Sequence, residues 1–163
     1  MTRSERDPIV VSAAREDEVP ALAALAAELV RQHHAVDPRR FLMVDDAERG
    51  YARWLHREMA RPGAVVVAAR SAERVVGYGY ATLEGRDWAA LLDAHGAIHD
   101  VMVDPAVRRQ GVGRAIVGRL CADLGELGAP RIVLHTMVQN EAAIALFDSL
   151  GFRQTMIEMT RGG

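Results

Sequence analysis

The chain has 163 residues, of which 50% are hydrophobic and 26% are charged, and its formal net charge is -2 at pH 7. A chain of this length fits one domain of ordinary size, which needs no disulfide or metal to hold it together. The near-neutral charge excludes a bulk positive field that would attract nucleic acid. The single cysteine, Cys121, excludes an intramolecular disulfide, and the absence of lysine excludes a lysine nucleophile and the lysine of a P-loop.

The N-terminal segment Met1 to Pro8 is polar, and no apolar run approaches the roughly 20 residues that span a bilayer. We therefore expect a cytoplasmic protein that binds neither membrane nor nucleic acid. Because the sequence contains no internal repeat and no long linker, we expect residues 1–163 to form a single domain.

The first half of the chain predicts a strand, two helices and a hairpin, in that order. The apolar run Ile9 to Ala13 is typical of a strand, and leucines at helical spacing follow it. Tyr51 to Met59 indicate a second helix. Val65 to Ala69 and Arg74 to Leu83 read as two strands joined by a tight turn, which predicts an antiparallel hairpin.

The second half adds a strand, a helix, a strand, a helix and a last strand. These elements are predicted at Ala97 to Val103, Gly111 to Leu127, Arg131 to Thr136, Asn140 to Leu150 and Arg153 to Thr160. A glycine follows each helix, as is typical of helix C-termini. The order predicts a mixed α/β (α+β) fold with helices on both faces of the sheet, parallel where the third helix connects two strands.

An arginine- and glycine-rich turn joins the Ala97 to Val103 strand to the following helix, with the sequence Arg108-Arg109-Gln110-Gly111-Val112-Gly113-Arg114. The first N–H groups of a helix lack internal partners and lie at the positive end of its dipole, so they favour an anion such as phosphate. The alternative is a plain turn with solvated arginines. A dinucleotide-binding fingerprint would need Gly or Ala at Ile116, and a P-loop would need lysine, so neither fits.

Two ordered motifs carry a specific resemblance. Arg108-x-x-Gly111-x-Gly113, after the strand ending at Val103, resembles the acetyl-coenzyme A signature of the GNAT superfamily of N-acetyltransferases. The second motif, Asn140-x-x-Ala143-x-x-Leu146-Phe147-x-x-x-Gly151-Phe152, is similar to the family's C-terminal motif. The resemblance implies a mainly antiparallel central sheet of six to seven strands with about four helices, splayed between the fourth and fifth strands. Residues 9 to 83 agree only in the order of elements.

The resemblance also implies acetyl-coenzyme A as co-substrate, with no metal. Free backbone groups of Val101, Met102 and Val103 would pair with its pantetheine arm, and the Val101 N–H would stabilise the oxyanion. The alternative for these three residues is an ordinary buried strand. Asn140 would reach the pantetheine or cap its own helix. Arg109, Gly111, Gly113 and Arg114 would bind the pyrophosphate through backbone N–H groups. The other residues expected to contact the co-substrate are Arg108, Gln110, Val112 and Phe147.

The acceptor amine needs a base, because an alkylamine with a pKa of about 10.4 is charged at neutral pH. His99 matches a position where several family members carry a glutamate base, and Asp100 follows it. Because strand side chains alternate between faces, we expect only one of the two to reach the site. His99 could instead be a strand histidine bonded to a backbone carbonyl. We interpret His135, on the neighbouring strand, as a hydrogen-bonded core histidine rather than a base acting through water.

Phe147 departs from the family pattern, since many members have a tyrosine there that protonates the leaving thiolate. Here the thiolate would leave unassisted or take a proton from water, because a thiol of pKa about 8.5 is a fair leaving group. The predicted function is direct transfer of an acetyl group to a primary amine of a small molecule or peptide. The alternative is a non-catalytic module that binds or senses acetyl-coenzyme A.

Two further points stay open at the level of sequence. His33, His34, Tyr51 and Trp54 could line the acceptor pocket, or they could pack the second helix against the sheet. By resemblance, a homodimer through residues 153 to 160 is a hypothesis.

Overall fold

A computed structural model describes residues 7–162, which form a five-stranded mixed sheet with four α-helices. Short 3-10 turns lie at Glu16–Glu18 and Pro105–Val107. The elements are β1 (Ile9–Ala13), α1 (Val19–Val36), α2 (Ala47–Met59), β2 (Ala64–Ser71), β3 (Arg74–Glu84), β4 (His95–Val103), α3 (Val112–Glu126), β5 (Ile132–Leu134) and α4 (Glu141–Ser149).

The strands lie in the order β1-β2-β3-β4-β5. The first four pair antiparallel, and β5 is parallel to β4. The parallel pairing covers only Gly96 to Ile98 of β4, opposite Ile132 to Leu134. In the described part of the chain, the rest of β4 has no partner on that side, so the sheet opens between its fourth and fifth strands as expected.

The predicted strand over residues 153–160 is wrong, and the expected six to seven strands are five. Residues 152–162 adopt neither helix nor strand. Met156, Ile157 and Met159 are 85%, 79% and 89% exposed. A strand needs a neighbouring strand to bond its N–H and C=O groups, and this segment pairs with none of the described strands. The apolar side chains that suggested a strand therefore remain in solvent.

The helices cover both faces of the sheet, as predicted. α1 and α2 pack on one face around Leu22, Leu55 and Tyr78. α3 packs on the other through Ile116 and Leu120. None of the helices within residues 7–162 is long and apolar enough to cross a membrane.

Glycines in β3 and β4 let α3 approach the sheet closely. A Cβ on Gly79 would lie 2.6 Å from Ile116 Cγ2, and a Cβ on Gly96 would lie 2.8 Å from Leu124 Cδ1. Real side-chain atoms do not tolerate such distances, so larger residues here would push the helix away. This packing holds the N-terminus of α3 beside the opening between β4 and β5.

A buried ion pair anchors the start of α1 to the sheet. Arg70 donates from Nε to Glu18 Oε1 at 2.5 Å and from Nη2 to Oε2 at 2.6 Å. Arg70 also donates to the Ser12 hydroxyl at 2.7 Å. Burial alone would raise the pKa of Glu18, but the hydrogen bonds and charge of Arg70, with the Arg15 N–H, lower it below its ordinary value.

Candidate active site

A cleft of about 600 Å³, here named the β4–β5 cleft, opens where the two strands separate. Its walls are the C-terminal half of β4, part of α1, and α4 with the loop before it. The turn before α3 forms its floor. The cleft brings together eleven residues singled out from the sequence: Val101, Met102, Val103, Arg108, Arg109, Gly111, Val112, Gly113, Arg114, Asn140 and Phe147.

Gln110 is the one residue of the predicted phosphate turn that does not line the cleft, and it is exposed. The sequence also missed the contribution of α1, whose Leu29, Gln32 and Val36 line the opposite wall. No motif marks these α1 residues. Their apolar and polar types are those of any amphipathic helix, so only the fold reveals that they face the cleft.

The register of β3 and β4 determines which backbone groups face the cleft. The Asp104 N–H donates to the Val76 carbonyl at 2.9 Å. Because antiparallel peptide groups alternate in direction, those of Met102 also face β3, while those of Val101 and Val103 point toward the cleft. The expectation of three free positions is therefore corrected to two, since the ladder with β3 occupies Met102.

The two glycines of the turn have different structural roles. Gly111 precedes the first residue of α3 with φ 83, a left-handed conformation that favours glycine. Apart from Gly111 itself and its two chain neighbours, no described residue has an atom within 4 Å of the place where its Cβ would be. A Cβ on Gly113 would instead lie 3.2 Å from Leu146 Cδ2, so this glycine allows α4 to pack against the start of α3.

The cleft floor carries positive charge. Arg108 donates to Gln32 Oε1 at 3.1 Å, and Arg114 donates to Ser149 Oγ at 2.6 Å. These bonds hold the two guanidinium groups toward α1 and α4, on either side of the turn. Among the described lining residues there is no carboxylate. Three arginines and the N-terminus of α3 thus make the floor a favourable place for phosphate groups.

Asn140 and Phe147 both belong to α4. The Asn140 side chain accepts a hydrogen bond from the Ala143 N–H at 3.1 Å, so it caps the helix. Phe147 packs edge-on against Phe152, with ring centroids 5.9 Å apart, and borders the cleft. Its ring has no proton to donate, which leaves this position without an acid.

A second cavity of about 630 Å³, here named the α2 cavity, lies on the α1 and α2 side of the sheet. Tyr51 and Trp54 of α2 line it with Tyr80 of β3. The Trp54 and Tyr80 rings meet edge to face, with centroids 4.6 Å apart. Asp45 and Asp46 lie on the loop before α2 and also line the cavity, although both are exposed.

A β-bulge brings both His99 and Asp100 into the α2 cavity. Tyr80 pairs with Asp100 while Ala81 pairs with Ile98, so His99 is the extra residue in β4. Both side chains consequently lie on the α1 and α2 face. The expectation that only one of the two would reach the site is wrong, because regular strand alternation stops at the bulge.

The two side chains have different electrostatic environments. The His99 ring stacks on Tyr80, with centroids 5.1 Å apart, and its Nε2 lies 2.7 Å from Thr82 Oγ1. Desolvation lowers its pKa below 6.5, although Asp100 and Glu84 act in the opposite direction. Burial raises the pKa of Asp100, partly offset by a hydrogen bond that Tyr78 donates at 2.8 Å. Neutral His99 is therefore available to accept a proton near pH 7.

The remaining candidates lie elsewhere. His135 is exposed, so its interpretation as a core histidine is wrong. His33 borders the β4–β5 cleft rather than the α2 cavity, and His34 bonds the Phe41 carbonyl at 2.8 Å. Cys121 is half-buried, and burial raises its pKa. Within residues 7–162, no three side chains of His, Cys, Asp or Glu are grouped to hold a metal ion.

Comparison with known proteins identifies relatives of the whole domain. Residues 22–152 match the Acetyltransferase (GNAT) family. The chain is 27% identical over 151 residues to N-alpha-acetyltransferase RimI of Mycobacterium tuberculosis (strain ATCC 25618 / H37Rv), which covers 93% of this chain and 82% of that protein. A stretch of 60 residues is 40% identical to the ribosomal protein bS18-alanine N-acetyltransferase of Escherichia coli (strain K12), covering 37% of this chain and 40% of that one.

A solved structure agrees on the fold. Glucosamine-6-phosphate N-acetyltransferase from Arabidopsis thaliana superposes with a TM-score of 0.70 at 15% identity, over 95% of this chain and 98% of that chain. The chain spans only 25% to 40% of the length of several curated relatives that it matches. The family match nevertheless includes every residue that lines the β4–β5 cleft. The chain belongs to the GNAT family of acetyltransferases.

Proposed function

We propose that the protein transfers an acetyl group from acetyl-coenzyme A directly to a primary amine of a small molecule or peptide. The observation that carries the proposal is that the two cavities meet at consecutive residues of β4. Val101 lines the β4–β5 cleft, and Asp100 lines the α2 cavity. A thioester carbonyl next to the Val101 N–H and an amine next to Asp100 and His99 would therefore be neighbours.

The features of the β4–β5 cleft suit acetyl-coenzyme A. Its arginines and the N-terminus of α3 favour a pyrophosphate, and the outward backbone groups of Val101 and Val103 can bond the amides of a pantetheine arm. Bound there, the co-substrate supplies the activated acetyl group. Gly111 keeps the floor of the cleft open to it.

The chain's own residues would then act as follows. Neutral His99 takes a proton from the ammonium or from the attacking amine. The Val101 N–H stabilises the negative charge on the carbonyl oxygen as nitrogen bonds to the carbonyl carbon. The carbon–sulfur bond breaks, and the thiolate takes its proton from water because Phe147 has none to give.

The α2 cavity favours a cationic acceptor. It contains Asp45, Asp46 and Asp100 against a single cation, Arg53, and aromatic rings stabilise ammonium groups. An amine that carries its own carboxylate would be repelled. The M. tuberculosis relative is named an N-alpha-acetyltransferase and the E. coli relative a ribosomal protein bS18-alanine N-acetyltransferase, which supports a peptide N-terminus as one acceptor.

The alternative is a module that binds acetyl-coenzyme A without catalysis, and Phe147 favours it. The two functions differ in thiol release. We would measure coenzyme A release from acetyl-coenzyme A across a panel of amines, with Gly111→Trp as a variant whose turn is blocked. Amine-dependent release that disappears in a folded Gly111→Trp protein supports the transferase. Binding of acetyl-coenzyme A without release for any amine in a panel that includes peptides supports the module.

We also propose that the protein forms a homodimer through residues 153–160. Met156, Ile157 and Met159 are exposed there, and β5 ends the sheet with an edge that no described residue covers. Light scattering at micromolar concentration tests this, and a monomeric mass would contradict it.

A further inference from the structure

A buried hydroxyl links His99 to a carboxylate on the neighbouring strand. Thr82 Oγ1 lies 2.7 Å from His99 Nε2 and 2.5 Å from Glu84 Oε1. Thr82 is 1% exposed, so water does not compete for its hydroxyl. Thr82 and Glu84 are two residues apart in β3 and point to the same face. The bulge at His99 aims the imidazole at this face.

Only one arrangement of the hydrogen bonds among His99, Thr82 and Glu84 is possible when Glu84 is ionised. A carboxylate only accepts hydrogen bonds, and a threonine hydroxyl has a single proton to donate. The Thr82 proton must therefore go to Glu84. His99 Nε2 must then be the donor to Thr82 Oγ1, because two acceptors cannot bond each other.

We infer that Thr82 and Glu84 are positioning residues that hold His99 in the tautomer with a proton on Nε2, so that Nδ1 is the nitrogen that receives the proton of the acceptor amine. The second half of this statement rests on the proposed acetyl transfer, while the tautomer does not. Within residues 7–162, Nδ1 of His99 makes no hydrogen bond, and the residue lines the α2 cavity.

The same two hydrogen bonds stabilise the imidazolium that forms when Nδ1 takes a proton. Glu84 accepts from Thr82, and the positive ring remains bonded to the Thr82 oxygen. The charged groups that act on His99 come from four parts of the fold. Asp100 in β4 and Glu84 in β3 favour the cation, while Arg61 before β2 and His135 after β5 oppose it. Removing the Thr82 hydroxyl, and with it both hydrogen bonds, should therefore make His99 a weaker base.

The first experiment reads the tautomer without any assay of activity. The full chain labelled with ¹⁵N is studied by NMR at a pH above the pKa of His99, and His99→Gln identifies the ring signals. We expect Nε2 to be protonated and Nδ1 to be unprotonated. We expect Thr82→Ser to keep this tautomer and Thr82→Val to lose the preference. A protonated Nδ1 in the wild-type protein overturns the inference.

The second experiment tests the role in proton transfer. Thr82→Val should lower kcat at least roughly tenfold with little change in the KM for acetyl-coenzyme A, and Thr82→Ser should restore most of it. In Thr82→Val and Glu84→Gln, the acidic limb of the pH profile should move to lower pH. Glu126→Gln, at the exposed end of α3, is the matched control for loss of one carboxylate.

The outcomes separate the inference from the proposed function. A wild-type pH profile and kcat in Thr82→Val overturn the positioning role even if the tautomer is as expected. The expected tautomer in a protein that releases no thiol with any amine supports the first half of the inference and contradicts the proposed function.

Discussion

The β4–β5 cleft and the α2 cavity share β4 but are built from different parts of the chain. In the cleft, the proposed binding groups include main-chain groups: the outward peptide groups of Val101 and Val103 and the first turn of α3. The α2 cavity is formed by side chains, with aromatic rings from α2 and β3 beside His99 and Asp100. A site built from main-chain groups requires glycines at fixed positions and a particular pairing of strands. The glycines form a motif that can be recognised in the sequence. A site built from side chains depends on the individual residues of this protein and leaves no such motif.

The two cavities also differ in charge. Arg108, Arg109 and Arg114 line the cleft, where the described lining has no carboxylate, whereas three aspartates and one arginine line the α2 cavity. The proposed anionic co-substrate and cationic acceptor would thus be attracted to opposite sides of the same strand. The sharpest tests of this comparison alter one cavity and measure the parameters of both substrates.

The largest effect is expected from removing one peptide N–H of the cleft. Val101→Pro deletes the proposed oxyanion donor, and since that N–H points away from β3, the ladder loses no hydrogen bond. We expect kcat to fall roughly 10²- to 10³-fold, the usual cost of one such donor, with a smaller change in the KM for the amine. Steady-state thiol release measures both.

Met102→Pro is the matched control, because it removes an N–H that faces β3. It should instead lower the melting temperature, followed by circular dichroism. If Val101→Pro retains wild-type kcat, the Val101 N–H is not the oxyanion donor.

The next largest effect belongs to the side-chain cavity. His99→Ala should lower kcat about 100-fold, as loss of a general base does, with an unchanged KM for acetyl-coenzyme A. A base acts in its neutral form, so wild-type activity should rise with pH through the pKa of His99, which lies below 6.5, and then level off. The variant should lack this rise. A rate unchanged across the whole pH profile would remove His99 from the mechanism.

The sequence predicted the main-chain site far better than the side-chain site. The turn around Gly111 and the cap at Asn140 follow from local rules, and the resemblance implies the opening between the fourth and fifth strands. The structure contains each of them. The sequence does not show that the backbone groups of Met102 face β3 rather than the cleft, because only the register of β3 and β4 shows which peptide groups face the ladder. Five of the six predicted strands and all four helices lie close to their predicted positions for the same local reasons.

The errors arose where one segment depends on another that is distant in sequence. Periodicity predicts that His99 and Asp100 point apart, but the bulge depends on how β3 pairs with β4, which no local pattern encodes. Residues 153–160 have a strand-like composition, yet a strand forms only by pairing with another strand, and this segment pairs with none of those described. The link from Glu84 through Thr82 to His99 was missed because Thr82 is 17 residues from His99 in sequence.

A smaller effect should distinguish Gly111, which precedes α3, from Gly118 within the helix. Gly111→Ala places a side chain at φ 83, which costs roughly 1–2 kcal/mol for a non-glycine residue and distorts the turn. We expect the KM for acetyl-coenzyme A to rise about tenfold while the KM for the amine stays constant. Gly118→Ala, exposed in the same helix with open space around it, should raise the unfolding free energy by up to about 1 kcal/mol. Equal effects of both on the KM would contradict a special role for the turn.

The smallest expected effect tests the charge of the α2 cavity. Asp45 and Asp46 are exposed, so water and salt screen them, and each contributes on the order of 1 kcal/mol or less to binding an ammonium group. The double variant Asp45→Asn, Asp46→Asn should raise the KM for phenethylamine roughly threefold at low salt and less at high salt, without affecting acetyl-coenzyme A. Phenylalanine, which adds a carboxylate to the same skeleton, should be a poor substrate of the wild-type protein and improve in the variant, whereas phenylalanine amide should behave like phenethylamine. If the wild-type protein acetylates phenylalanine as efficiently as phenylalanine amide, the aspartates do not select the acceptor by charge. Selection must then come from the aromatic wall of Tyr51, Trp54 and Tyr80.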